Sequence, residues 1–269
     1  MDRSRRMLKL HTLLGWLVVL PVLAACSSPA SVSTLSPGAR RTLTEAMGGE
    51  ENAGLSVDTL REAARLAPGD AAAQERYGLA AEQARLYPEA LAALDRAVAI
   101  GGPDTRRLVE KGRVALKVGD VPAAALAYRR TLELDHDNID ALSGLGVADD
   151  LQHRHTDAQA RYQDALRLAP GDWGVRSNLA ISYLMSGHPA DAVQALAAAA
   201  SDPAAPRRAR HNLAMALVAA GDRTGAIAVL QKDVPAAEAA ALVDEFVAFS
   251  KWLQSPDAGG TAPGLLGNP

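Results

Sequence analysis

"RLAPGD" occupies residues 65–70 and recurs, letter for letter, at 167–172. The separation of 102 residues is three times 34, so internal periodicity is the first thing to test. Cut at that period, the chain falls without insertion into units 37–70, 71–104, 105–138, 139–172, 173–206 and 207–240. From the second unit on, the eighth place is always small: Gly78, Gly112, Gly146, Ala180, Ala214. The twentieth is always alanine: Ala90, Ala124, Ala158, Ala192, Ala226. The twenty-fourth is always bulky: Leu94, Tyr128, Tyr162, Leu196, Leu230. Proline stands at or near place 32 as Pro68, Pro103 and Pro170.

This pattern predicts two closely crossing helices per unit. A small residue at place 8 facing alanine at place 20 lets two helix backbones approach, and bulky residues at places 7 and 24 fill the ridges around that contact. Apolar residues make up 48% of the chain and aromatics only 4%, a balance that suits alanine-rich helices rather than a β-sandwich. Short turns such as "KVGD" and "MSGHP" separate the helices, with Gly119 and Gly187 suited to ending them. A helical bundle without repeats could share the composition but not the phase.

A small place 8, alanine at 20, a bulky 24 and proline near 32 resemble the tetratricopeptide repeat, as do the Leu-Gly and Leu-Ala pairs of "SGLGVADD" and "SNLAISYL". The resemblance implies an all-α, right-handed solenoid over 38–254, with about five full helix–turn–helix repeats between a degenerate first unit and a C-terminal capping helix. In the first unit "EAMGGEEN" interrupts the first helix. Place 11, bulky in the family, is so here only at Tyr183 and Leu217, which suggests looser packing in the earlier units. The last unit carries Asp233 at place 27, where a small residue is expected. After Pro235, "AAEAAALVDEFVAFSKWL" forms an amphipathic helix whose stripe Leu242, Phe246, Phe249 and Leu253, widened by Trp252, should cover the last repeat. The tail 255–269 is expected to be disordered.

The N-terminal 25 residues are a separate element. A basic start is followed by the apolar stretch Leu13–Ala25, which fits the core of a signal peptide and is short for a membrane span. It ends in Leu23-Ala24-Ala25-Cys26, which resembles the lipobox of bacterial lipoproteins, and Cys26 is the only cysteine in the chain. The resemblance implies cleavage before Cys26, acylation of that residue, and a Ser/Pro-rich tether over 26–37. With Ser27 following, it further implies an outer-membrane anchor facing the periplasm. The formal charge falls from −3 to −6 once this segment's +3 is set aside, a poor footprint for nucleic acid.

No phosphate-binding loop, dinucleotide fingerprint, His-Glu-x-x-His or Gly-x-Ser-x-Gly occurs, so neither a catalytic residue, a cofactor nor a small-molecule substrate is expected. His153 and His155, in the turn of the central unit, and His136 before it make a metal site conceivable, but no cysteine supports one and solvated histidines are the expectation. Asp149 and Asp150 are expected on a helix surface, and "RRARH" at 207–211 as a solvated helix start.

The expected working surface is the concave face. In tetratricopeptide arrays ligands lie along places 2, 5, 9, 12 and 13 of each unit's first helix. Those places hold Arg106, Val109, Arg113, Leu116 and Lys117, then Val147 and Leu151, then Ile181, Leu184 and Met185, and finally Arg208, Met215 and Val218. The expectation is a groove basic toward the N-terminal side and apolar toward the C-terminal side, fit for a helix or extended peptide. A narrower resemblance covers 173–253. There Asn178-Leu179-Ala180, Asp202-Pro203, Arg208, Arg210, Asn212-Leu213-Ala214 and Gly221-Asp222 look like the TadD family, repeat lipoproteins of tight-adherence (Flp) pilus systems. Phe246, Phe249 and Trp252 depart from it, standing where tyrosines are expected. It implies an assembly or pilotin-like scaffold whose partner is a secretin or another pilus component. The alternative is a periplasmic scaffold for outer-membrane protein insertion or for peptidoglycan-synthesis enzymes.

Overall fold

Asp or Asn stands at place 34 of four successive units, and each caps the helix that follows. Asp70 accepts from the Ala72 and Ala73 amides at 2.9 and 3.2 Å, Asp104 from Arg107 and Asn138 from Ala141 at 3.0 Å, and Asp172 from Gly174 and Val175 at 2.8 and 3.0 Å. Each first helix therefore begins at place 1 of its unit. The computed structural model describes residues 55–253, with side chains to residue 248. The leader 1–25, Cys26, the tether 26–37, the first helix of unit 37–70, the side chains of Phe249, Trp252 and Leu253, and the tail 255–269 lie outside the described residues.

Twelve α-helices run through the described residues. The first is α1 (Val57–Leu66), the second helix of unit 37–70. Five pairs follow: α2 (Ala71–Gln83) with α3 (Tyr87–Gly101), α4 (Thr105–Val118) with α5 (Val121–Leu134), α6 (Ile139–Asp150) with α7 (His155–Leu168), α8 (Trp173–Met185) with α9 (Pro189–Leu196), and α10 (Arg207–Ala219) with α11 (Arg223–Leu230). A 3₁₀ turn, Ala197–Ala200, closes the short α9, and α12 (Ala236–Leu253) ends the array. Every pair starts at places 1 and 17, so the 34-residue period holds without slippage. Second helices pack between their own first helix and the next, and α4, α6, α8 and α10 also meet in succession. Hydrophobic burial thus runs as a chain of local clusters, as expected of a solenoid.

The turn within each pair repeats as strictly. The amide at place 16 donates to the carbonyl at place 11 in all five units, from Leu86 to Ala81, Asp120 to Ala115, Arg154 to Asp149, His188 to Tyr183 and Asp222 to Leu217, at 2.8–2.9 Å. This closure requires a left-handed residue at place 15. Gly119, Gly187 and Gly221 supply it with φ of 86°, 79° and 88°, whereas Arg85 and His153 adopt 60° and 59°.

Place 8 is small chiefly to admit the residue at place 24 rather than the alanine at place 20. A Cβ on Gly78 would lie 2.9 Å from Leu94 Cγ, on Gly112 2.7 Å from the Tyr128 ring, and on Gly146 2.6 Å from the Tyr162 ring. Tyr128 is gripped from its far side as well, because Gly144 of the next unit faces the same ring. The alanines at place 20 are fully buried and let this happen. The looser packing suggested by place 11 is not what the structure has. Ala81 and Ala115 are wholly buried there, and so is a charged residue, Asp149.

The cap also differs in detail from the expected stripe. Among the described side chains of α12, which end at residue 248, Ala239, Val243 and Phe246 are buried and Leu242 sits at their margin. They pack on Ala214, Val218, Ala226 and Leu230. Asp233 replaces the small residue of place 27 as a paired acid, since Arg210 reaches it with Nε at 2.8 Å and Nη2 at 2.6 Å.

Both the glycine seat and this ion pair can be tested by substitution. Gly112→Ala should destabilise by up to about 2 kcal/mol, since overpacking costs about 1–3 kcal/mol and helix propensity returns about 1. Gly171→Ala, where a Cβ meets nothing within 4 Å, should leave the denaturation midpoint unchanged or slightly raised. The Arg210 guanidinium holds the Asp233 carboxyl below its ordinary 3.8, so the pair's stabilisation is complete above that pH and fades as pH falls below it. Asp233→Asn should accordingly lower stability at neutral pH and narrow the gap from the parent in acid, read as melting temperature against pH.

Candidate partner-binding face

The first helices α2, α4, α6, α8 and α10 bring the sequence-predicted groove residues into one row, and the structure divides that row into three parts. At the N-terminal part the predicted basic end is already neutralised. Arg106 and Arg107 both pair with Glu75, the latter with Nε 2.8 Å from Oε2. Arg113 pairs with Glu82 and Glu110, and Lys117 Nζ lies 3.1 Å from Glu82 Oε1. Glu75 and Glu82 are only 4% and 6% exposed. They occupy places 5 and 12 of the preceding unit, so the cations clasp α4 to α2 rather than stand free for a ligand. Burial holds the Glu110 carboxyl above its ordinary value, against the pull of Arg106. The basic end is thus paired with acids: Glu75 and Glu82 sit one unit upstream, at groove places that the charge count of a single unit overlooks, and Glu110 lies in the same unit as Arg113.

At the C-terminal part α12 closes the face. Val218 is 8% exposed, and it and the half-buried Met215 pack in the cluster built around Val243 and Phe246. Both belong to the cap interface rather than to an open groove. Arg208 remains exposed at the start of α10. Nearby, burial lowers the His211 imidazole, reinforced by the charge of Arg207.

The open apolar part lies between these ends. Leu151 is 50% and Met185 42% exposed, and Val147, Ile181 and Leu184 are half-buried beside them. Val147 leans on the Tyr162 cluster and Leu184 on the Leu196–Leu213 cluster. Asn178 Nδ2 donates to Ser143 Oγ at 3.2 Å, tying α8 to α6 on the same side. Five of the predicted residues are therefore left partly open on α6, its C-cap Leu151 and α8.

Under this surface lies a polar core that the surface expectation for Asp149 and Asp150 missed. Asp149 is 1% exposed and accepts from Arg154 and from Arg161 Nε at 2.7 Å. Asp150 accepts from Ser182 Oγ at 2.7 Å and Tyr162 Oη at 3.0 Å, with His155 Nδ1 at 2.8 Å. Burial and the adjoining Asp150 charge push the Tyr162 phenol well above its usual range, so it stays a donor. A partial signal was present in the sequence for Asp149: place 11 is a bulky, inward place in the family, and an acid there needs cations such as those at 154 and 161. His136 lies apart, 3.2 Å from Asp137, in a shallow depression lined by Leu142 and Arg167. Among the described residues no three His, Cys, Asp or Glu side chains converge to hold a metal ion. None of the described helices is long and apolar enough to cross a membrane.

Models of the tetratricopeptide repeat match residues 51–105, 109–172 and 151–208, together more than half of the chain. The chain belongs to the tetratricopeptide-repeat family. Similar solved structures include a repeat protein of Parabacteroides merdae ATCC 43184, 13% identical with a TM-score of 0.57, covering 72% of this chain and 76% of that one. TTC0263, a thermophilic repeat protein of Thermus thermophilus, is 19% identical with a TM-score of 0.53, covering 68% and 99%. YrrB is 17% identical with a TM-score of 0.52, covering 71% and 98%. At these identities the likeness is one of fold. No curated protein matches the chain.

Asp149→Asn keeps the shape of the side chain but removes the charge that Arg154 and Arg161 share. It should cost about 1–3 kcal/mol, measured as a shift in urea midpoint at constant slope. Asp157→Asn, at an exposed carboxylate 3.8 Å from Arg154, should move the midpoint little.

Proposed function

We propose that this chain is a non-enzymatic scaffold that takes a segment of a protein partner along the first helices of its third and fourth full repeats. A lipid on Cys26 holds it to the outer membrane, facing the periplasm, and its partner is a secretin or another component of a tight-adherence (Flp) pilus machine. The observation that carries the binding part is the open apolar surface of Leu151, Ile181, Leu184 and Met185. Large side chains left half-open in a row, between ends that close on themselves, suit the apolar stripe of a partner helix or extended segment. Tetratricopeptide-repeat proteins are typically scaffolds, and YrrB is described as having an unusual peptide-binding site. The anchor part rests on the lipobox-like Leu23-Ala24-Ala25-Cys26, and the pilus part on the TadD-like residues of 173–253.

Crosslinking in membranes tests the reading. Ile181→Asp with Met185→Asp should reduce capture of the partner at least about tenfold while melting as the parent does. Cys26→Ala should abolish acyl-chain labelling and release the chain from the membrane fraction. Undiminished capture would remove the groove, surviving label would remove the anchor, and capture of a peptidoglycan synthase in place of a secretin would move the machine.

A further inference from the structure

The turn joining α6 to α7 carries two imidazoles in an arrangement that the scaffold role does not use. His155 opens α7, mostly buried, with Nδ1 2.8 Å from Asp150 Oδ1. That carboxylate is itself fixed by Ser182 and Tyr162. Because an ionised carboxylate only accepts, Nδ1 carries the proton and the neutral ring keeps its lone pair on Nε2. A carboxylate behind an imidazole is how proteins orient a histidine and raise its basicity toward a metal ion.

His153 stands opposite. Its ring centroid lies 6.0 Å from that of His155, the two planes at 87°. Two imidazoles bound to one ion at about 2.0–2.1 Å have centroids roughly 5–6 Å apart, and this pair stands at the upper end of that spacing. The backbone makes His153 the more notable. It occupies place 15 at φ 59°, a left-handed position filled by glycine in three of the five units. Arg85 shares that conformation at the same place of its own unit, so the turn accepts a side chain at a cost in strain. The charge between the two imidazoles is already spent: the Arg154 guanidinium turns onto Asp149 and Gln152.

We propose that His153 and His155 form a two-imidazole site for a divalent transition metal of the zinc, nickel and copper class, completed by water. Imidazole nitrogen selects these ions over magnesium and calcium, which prefer oxygen. Asp150 is the orienting group and does not touch the ion. Two protein ligands give a reversible site rather than a structural one, and the fold does not depend on it.

The test is a Zn²⁺ titration of the full chain carrying Cys26→Ser, which removes its one thiol. The expected result is one ion per chain with a Kd on the order of 1–10 μM, with perturbation of the His155 ring resonances. His153→Gly should weaken binding at least tenfold and melt no lower than the parent, because glycine fits the turn better. His155→Gln should weaken binding as much, and His136→Gln should leave it unchanged. The proposal is overturned if the parent binds no Zn²⁺ at 1 mM, or if His153→Gly binds it as tightly as the parent.

Discussion

The array depends on one contact, the side chain at place 24 seated on a residue without side-chain bulk at place 8. Where that seat is a glycine the ring or branch lies against backbone, and Tyr128 is held by Gly112 of its own unit and Gly144 of the next. One residue thereby sets both the crossing within a repeat and the stacking between repeats. That double duty falls to Tyr128 alone; in the other units the seat at place 8 fixes the crossing within the repeat. A slip by one residue would put a Cβ into a ring and turn the helix faces away from their clusters. Helix capping then fixes the ends, with Asp or Asn at place 34 and the amide–carbonyl closure from place 16 to 11.

The polar groups inside the array serve the same register. Glu75 and Glu82 are buried acids whose cations come from the following unit, and Asp149 is a buried acid whose cations come from the following turn and helix. A charge placed so deep costs free energy unless its partner is correctly positioned. An apolar pair would pack in several offsets, but a carboxylate with two guanidiniums is satisfied in one. The ion pairs therefore add specificity to an interface whose alanine-rich surfaces offer few distinguishing shapes.

The repeat boundaries, the small residues of place 8 and the turn glycines Gly119 and Gly187 were legible in the sequence, because each is a local requirement repeated at a fixed spacing. That place 8 seats the residue at place 24, and that Gly144 grips Tyr128 from the next unit, was not. Nor was the charge state of the binding face. Arg106, Arg113 and Lys117 look free when their own unit is considered alone, and only the stacking of α4 on α2 reveals Glu75 and Glu82 beneath them. Asp149 and Asp150 misled for a related reason: an acid near a helix end reads as surface unless the residues that will fold over it are known. Val218 and Met215 satisfy the groove pattern, yet α12 lies where a further repeat would leave them open. Pattern finds what each unit needs from itself and is weaker on what it needs from its neighbours.

Neighbouring units also decide what can be recognised. An acidic partner gains little at α2 and α4, because it would have to displace carboxylates already bonded to the same guanidiniums and bury their charge unpaired. Nor can a partner enter at α10 without lifting Val243 and Phe246 from their cluster. What is left is the apolar stretch of α6 and α8, where Leu151, Ile181, Leu184 and Met185 lose only water on contact. The unpaired hydrophobic surface lies on helices that a bonded network joins, with Asp149 and Asp150 tying α6, α7 and α8 together. Rigid support under an open apolar surface reduces the ordering cost of binding, so an array closed at both ends can still hold a segment in its middle.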